Sequence, residues 1–321
     1  MRVNAAVVRS FDEPPHHEGF DLPDPTGADQ AVVDVLAAGL HPRVRSGASG
    51  RHYTSTGRLP LVPGIDGVGR LADGRLVYFV TDDDLPGSMA ARAVIDTRRM
   101  VVLPEDVDVV RVAAAMNPAM SSWVALRRRV PIEPGQSVLV LGATGNAGQM
   151  AVQVAKRLGA GRVVGAGRNP AALALLAGLG ADVTVALGED DDAAAAMLAA
   201  AASEVDLVLD YLWAAPAASA MMALLRARAD RSRALDWIQI GSVAGPTLEL
   251  PSVALRSANL RIQGNGQGAV STRAYVAELP SLVEEISSGR LAVNARAVPL
   301  ADVEAAWTAS DVPGVRTVLQ P

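Results

Sequence analysis

The sequence contains no cysteine, a single lysine and few aromatic residues, which make up 3% of its 321 positions. Each scarcity excludes a chemistry. Without cysteine there is no disulfide, no thiolate nucleophile and no cysteine-ligated zinc. Lys156 is the only lysine and every other basic residue is arginine, so mechanisms that need a lysine elsewhere are excluded. Histidine occurs four times, as His16, His17, His41 and His52, without the spacing of a helical zinc motif. No metal site is expected. The net charge is −5, with both signs interspersed, which argues against nucleic acid or an anionic membrane as partner. No apolar run approaches the ~20 residues that span a bilayer. Met1–Val8 is soon interrupted by Arg9, Asp12 and prolines rather than continuing as a secretory leader. A cytoplasmic location is therefore the expectation.

Half of the chain is apolar, enough at this length for two domains and a large core. Its most informative stretch is Ser137-Val-Leu-Val-Leu-Gly-Ala-Thr-Gly-Asn-Ala-Gly148, followed by the amphipathic run Gln149–Leu158. Val138–Leu141 is a continuous apolar run, as a strand covered on both faces requires. Gly142 allows a tight exit from that strand, Gly145 lets backbone approach a phosphate, and Gly148 lets the following helix pack closely. The helix N-terminus offers free N–H groups to an anion. The stretch therefore reads as a dinucleotide site, with Ala143 where the usual pattern has its first glycine.

Around this stretch the chain changes character. The N-terminal part carries short β-like runs at Ala31–Ala37, Gly67–Leu71, Arg75–Val80, Ala93–Ile95 and Met100–Leu103, separated by Pro, Gly and Asp. Helical patterns follow at Val107–Met116 and Ser121–Arg129. Strands are then expected near Ser137–Leu141, Arg162–Gly165, Asp182–Ala186, Val205–Leu209 and Trp237–Ile240. Helices near Ala147–Leu158, Ala171–Leu179, Ala193–Ala202 and Ala215–Ala229 alternate with them. That order predicts an α/β fold with a doubly wound parallel sheet. A short-chain dehydrogenase is excluded, because Val152 stands where the Tyr-x-x-x-Lys pair would need its tyrosine before Lys156.

Several stretches together resemble the medium-chain dehydrogenase/reductase superfamily, in its zinc-independent quinone oxidoreductase branch. Leu61-Val-Pro-Gly-Ile-Asp-Gly-Val-Gly69 is similar to the family's P-x-x-P-G-x-E-x-x-G, with Asp66 in place of glutamate. Arg75–Phe79, the nucleotide stretch Leu141–Gly159, Val205–Asp210, Ala297–Trp307 and Gly314–Leu319 extend the likeness from end to end. The resemblance implies a GroES-like β-barrel substrate domain, residues 1–118 and 268–321, around a Rossmann domain, residues 119–267. It also implies a homodimer, joined through sheet edges near Thr247–Ile262.

The predicted cofactor is NADPH. The second strand of the nucleotide domain ends in Arg168-Asn169, where an NAD site would carry an acidic residue about 20 residues after the glycines; arginine suits a 2′-phosphate. The expected cofactor-binding residues are Gly142, Ala143, Thr144, Gly145, Asn146, Ala147, Gly148, Arg168 and Asn169. At the nicotinamide end they are Asn117, Ser121, Gly241, Ser242, Gly264 and Asn265.

A cleft between the domains is expected to hold a small carbonyl or quinone substrate. Without zinc, an isolated ketone lacks its Lewis acid, whereas a quinone or α,β-unsaturated carbonyl needs only donors for the resulting anion. The family's N-P-V-D-x-x-x-R-x-G-x-Y reads here as His41-Pro-Arg-Val-Arg-Ser-Gly-Ala-Ser-Gly-Arg-His-Tyr53, with His41 for asparagine, Val44 for aspartate and Ala48 for arginine. Tyr53 and His41 are the candidate catalytic hydrogen-bond donors, with His52 a weaker one; delivery of the proton by solvent remains open. Two alternatives stand beside a quinone or enone reductase. One is an enoyl-thioester reductase, with Arg43, Arg45 and Arg51 facing a phosphate. The other is an NADPH-binding protein with little turnover.

Overall fold

Alternating apolar residues make the long strand of the N-terminal region, Gln30–Leu40, in which Val33, Val35 and Ala37 turn inward and Asp34 faces solvent. The computed structural model describes residues 1–81, 85–188, 191–310 and 312–321. The chain divides into two units, Met1–Asn117 with Thr272–Pro321, and Pro118–Ser271.

The first unit opens with β1 (Arg2–Val7) and β2 (His16–Asp21), an antiparallel pair in which Val7 lies opposite His16. Then come β3 (Gln30–Leu40), α1 (Pro42–Ala48), β4 (Asp66–Leu71), β5 (Leu76–Val80), β6 (Arg92–Asp96) and β7 (Met100–Val102). Val33, Val35, Leu71, Val77, Phe79, Ala93 and Ile95 form one apolar core between these strands.

The helix α2 (Val109–Val124) departs from the expected pattern. Two helical stretches parted near Pro118 were expected. The structure has one helix running through Pro118, then a wider helical turn over Ala125–Arg129. An interior proline costs ~3 kcal/mol. Val112, Ala113, Ala114, Ala115, Met116, Ala119 and Met120 are all almost fully excluded from solvent, and their burial outweighs that cost.

The second unit is a parallel sheet in the order β10 (Val183–Ala186), β9 (Arg162–Gly167), β8 (Ser137–Leu141), β11 (Leu207–Asp210), β12 (Leu235–Gln239), β13 (Leu260–Gly264). The connecting helices are α3 (Asn146–Arg157), α4 (Pro170–Leu176), α5 (Asp191–Ala202), α6 (Ala214–Ala227) and the short α7 (Ser252–Arg256). Leu139, Leu141, Val164, Val208 and Trp237 anchor its core. The order runs outward from β8 to β10 and then restarts at β11 on the other side. Ligands of such sheets bind beyond the carboxyl ends at that reversal. The edge strand β13 goes beyond the five strands expected; Arg261 and its partly exposed neighbours hide its periodicity.

The chain returns to the first unit through α8 (Thr272–Val276), α9 (Leu279–Ser287), β14 (Asn294–Pro299), α10 (Val303–Thr308) and β15 (Val315–Gln320). There β14 and β15 extend the sheet to the order β14-β15-β3-β4-β5-β7, with β6 on β3. The barrel expected here is not closed by any ladder among the described residues.

Candidate active site

Everything in the glycine turn follows from how tightly its backbone folds. Gly142 leaves β8 with φ +84°, a left-handed conformation open mainly to glycine. Gly148, in the first turn of α3, has no room for a side chain: a Cβ there would lie 2.2 Å from Gly142 O and 2.6 Å from Ala143 Cα. At Gly145, which caps α3, a Cβ would meet nothing nearer than 3.6 Å. Two glycines thus serve the protein's own packing, whereas at the third a side chain would meet only ordinary contact. Ala143 and Thr144 complete the turn and Asn146 and Ala147 open α3, at the kind of helix N-terminus that receives a phosphate in such sheets. Thr144 also explains Gly167, the last residue of β9, where a Cβ would lie 2.5 Å from Thr144 Cγ2. The sequence reading passed over Gly167.

Directly after β9, Arg168 is exposed, in the place where the adenosine end of a dinucleotide bound at the glycine turn is read. The Asn169 side chain is already engaged: its Oδ1 accepts from Ala172 N at 3.0 Å and caps α4.

Beyond the carboxyl ends of β11, β12 and β13, several expected residues come together. Asn265 is buried and its Nδ2 donates to Ser121 O at 2.8 Å, while its N–H donates to Gln239 O. Ser121 Oγ donates to Pro118 O at 2.9 Å and lies 3.0 Å from Tyr211 Oη. Tyr211, which sequence reasoning missed, is buried, and burial pushes its phenol up to about 12, so it stays protonated. Its main chain explains Gly241, where a Cβ would lie 2.8 Å from Tyr211 O. Ser242 and Gly264 are exposed beside this cluster, and Gly264 O accepts from Arg129 Nε at 2.9 Å. Asn117 lies on α2 and belongs to the first unit.

The turn after β11 is strained. Trp213 (φ 59°, ψ −163°) and Ala214 (φ 52°) occupy regions that cost ~1–3 kcal/mol each for residues other than glycine. Buried Asp210 pins this turn, its Oδ1 accepting from Leu212 N and Trp213 N and its Oδ2 from Trp237 Nε1. Burial holds the Asp210 carboxyl above its usual range, against those donors.

In the first unit, His41 caps α1 through its backbone and is 2% exposed. Its Nε2 lies 3.2 Å from Asp66 Oδ1, and Tyr78 Oη donates to Asp66 Oδ2 at 2.8 Å. All three side chains are buried. Burial, opposed by Asp66, lowers the His41 pKa. Tyr53, by contrast, is 70% exposed, with its ring 4.4 Å from that of His52. Among the described residues, no group of three metal-ligating side chains is found, and no helix is long and apolar enough to cross a membrane.

A doubly wound sheet with an open glycine turn at its reversal defines a dinucleotide-binding protein. Residues 147–264 match the family model described as zinc-binding dehydrogenase. Over 99% of its length the chain is 30% identical to the whole of a probable NADPH-dependent quinone reductase of Emericella nidulans. It is also 28% identical to an NADPH-dependent alkenal/one oxidoreductase of Arabidopsis thaliana, over 49% of this chain and 45% of that one. A mycobacterial protein solved in complex with NADPH shares the fold, with a TM-score of 0.78 at 22% identity over 99% of this chain and 100% of that one. This chain belongs to the medium-chain dehydrogenase/reductase superfamily, in its quinone oxidoreductase branch.

Proposed function

We propose that this protein is an NADPH-dependent oxidoreductase that transfers hydride to a quinone or an α,β-unsaturated carbonyl without a metal. The observation that carries the reading is the open glycine turn at the sheet reversal. Full-length likeness to a probable NADPH-dependent quinone reductase supports the substrate class. Bound NADPH supplies the hydride from its nicotinamide ring. Backbone around Gly145 holds the pyrophosphate, and Arg168 takes the 2′-phosphate through charge-assisted hydrogen bonds. Ser121, Asn265 and the main chain at Gly241, Ser242 and Gly264 orient the nicotinamide, with Tyr211 fixing Ser121. Tyr53, which is exposed, and His41, which is buried against Asp66, are the candidate hydrogen-bond donors toward the substrate. The family description speaks of zinc, but the sequence has no cysteine to ligate it. An acceptor that is already electrophilic suits such a site.

The edge strand β13, with exposed Val253 and Leu255 on the adjacent α7, supports a homodimer, which light scattering of the eluted protein tests. The activity is tested by mixing the protein with NADPH and following its absorbance loss with 1,4-benzoquinone, an enone and a crotonyl thioester. Oxidation by the quinone or the enone is the expected result. Oxidation by the thioester alone would make it an enoyl-thioester reductase. Tight NADPH binding with no oxidation by any of the three would leave a binding protein.

A further inference from the structure

Two residues other than glycine hold positive φ at the point where the parallel sheet reverses. The reversal falls between β8 and β11, whose last residues Leu141 and Asp210 lie side by side. The chain leaves β11 through Tyr211, Leu212 and Trp213, and α6 starts at Ala214. Trp213 takes φ 59° with ψ −163°, a region in practice open to glycine alone, and Ala214 follows at φ 52°. Such a turn persists only when its surroundings over-determine it. Fully buried Asp210 does so, because its carboxylate ties the N–H groups of Leu212 and Trp213 to the Trp237 indole of β12.

Both neighbours of this turn belong to the dinucleotide site proposed above. On one side, a Cβ on Gly142 would lie 3.1 Å from Leu212 Cδ2 and 3.3 Å from Tyr211 Cβ. These side chains therefore rest on the exit of β8. On the other side, Tyr211 O accepts from Val243 N at 3.2 Å and Leu212 O from Ala244 N at 2.9 Å. Ala214 limits the same loop, since a Cβ on Gly245 would lie 3.0 Å from Ala214 Cβ. All these residues lie in one unit, Pro118–Ser271. The turn is thus a spacer between the glycine turn and the loop that opens with Gly241 and Ser242.

We propose that this strained turn, locked by Asp210, sets the spacing between those two cofactor segments, with Asp210 and Trp213 as positioning residues for NADPH. The inference rests on the dinucleotide reading of the site. Relaxing Trp213 to an ordinary φ would swing the Leu212 carbonyl, on which Ala244 hangs. It would also disturb the Leu212 side chain against Gly142. A free protein that already holds the bound shape loses less affinity to ordering its loops.

Asp210→Asn tests the lock, because its amide sets N–H groups against one of the three donors that Asp210 accepts. The NADPH dissociation constant, read by cofactor fluorescence, is expected to rise ~10-fold or more, whatever the change in Tm. Adding Trp213→Gly is expected to bring that constant back to within about threefold of wild type, since glycine holds the turn unaided. Adding Trp213→Ala instead is expected to bring no recovery, although it removes the same indole. Equal behaviour of the two double variants would overturn the proposal, because backbone shape would then not be what matters. So would Asp210→Asn with a lowered Tm and an NADPH constant within about twofold of wild type, the mark of a merely structural carboxylate. Should Asp210→Asn not fold, Trp213→Gly and Trp213→Ala in the otherwise intact chain carry the test. The alanine variant is expected to bind NADPH about threefold or more weakly than the glycine variant, and equal constants would overturn the proposal. A wild type that binds NADPH while Asp210→Asn binds it equally overturns this inference alone. A wild type that binds no NADPH overturns the dinucleotide reading together with it.

Discussion

The glycine turn after β8 and the Asp66 network, drawn from the cap of α1, β4 and β5, are made of different materials. The turn consists of backbone: its shape follows from Gly142 and Gly148. The network consists of side chains from three separate segments, at positions 41, 66 and 78, joined only by folding. One region can hold an anion with no titratable group at all. The other is built of buried titratable side chains, His41, Asp66 and Tyr78, and offers no cradle. Dinucleotide binding and hydrogen bonding from His41 are thus expected to fail separately when each is damaged.

The largest effect that would sharpen this contrast is expected from Gly148→Val. Its Cβ meets Gly142 O at 2.2 Å, so α3 must shift away from the strand. A loss of several kcal/mol, seen as a large drop in Tm together with lost NADPH fluorescence, is the expected outcome. Next comes Asp66→Asn, which should lower turnover while the dissociation constant for NADPH stays within twofold; equal losses in both would break the separation. Arg168→Asp exchanges a charge-assisted hydrogen bond for repulsion. It should shift the ratio of kcat/KM for NADPH over NADH by about tenfold or more toward NADH. Tyr211→Phe removes one hydrogen bond to Ser121, worth ~1 kcal/mol, and should raise the KM for NADPH a few-fold. The smallest effect is a pH slope. The folded pKa of His41 lies below its unfolded value of ~6.5, so below pH ~6.5 the unfolded chain binds the extra proton. Stability should fall as pH drops through that window, and His41→Gln should flatten the dependence of Tm on pH there.

The same difference in materials explains what could be read in advance. Gly142, Gly145 and Gly148 lie within seven residues, flanked by a continuous apolar run and a period-3.6 pattern, so strand, turn and helix could be read together. Ser121, Gly241 and Asn265 were nominated from the likeness, and the structure brings them to one cluster. Tyr211 was passed over because nothing local distinguishes a tyrosine after a buried strand; its role comes from Ser121, 90 positions earlier. Asp66 was noticed only as a substitution for glutamate. Its partners lie 25 and 12 residues away, and only the antiparallel pairing of β4 with β5 sets it beside Tyr78. Arg168 was nominated from its position after the second strand, where the structure finds it exposed, whereas the cap made by Asn169 was not weighed against a ligand role. The continuous α2 was hidden by Pro118, since local propensity favours a break that burial overrides.

The most direct test of hydride transfer uses NADPH carrying deuterium at the reactive C4 position, incubated with this protein and an enone. Deuterium found on the β-carbon of a saturated ketone product, one atom for each NADPH oxidised, is the predicted result. Recovery of unreduced enone beside protein-bound, unoxidised NADPH would contradict it.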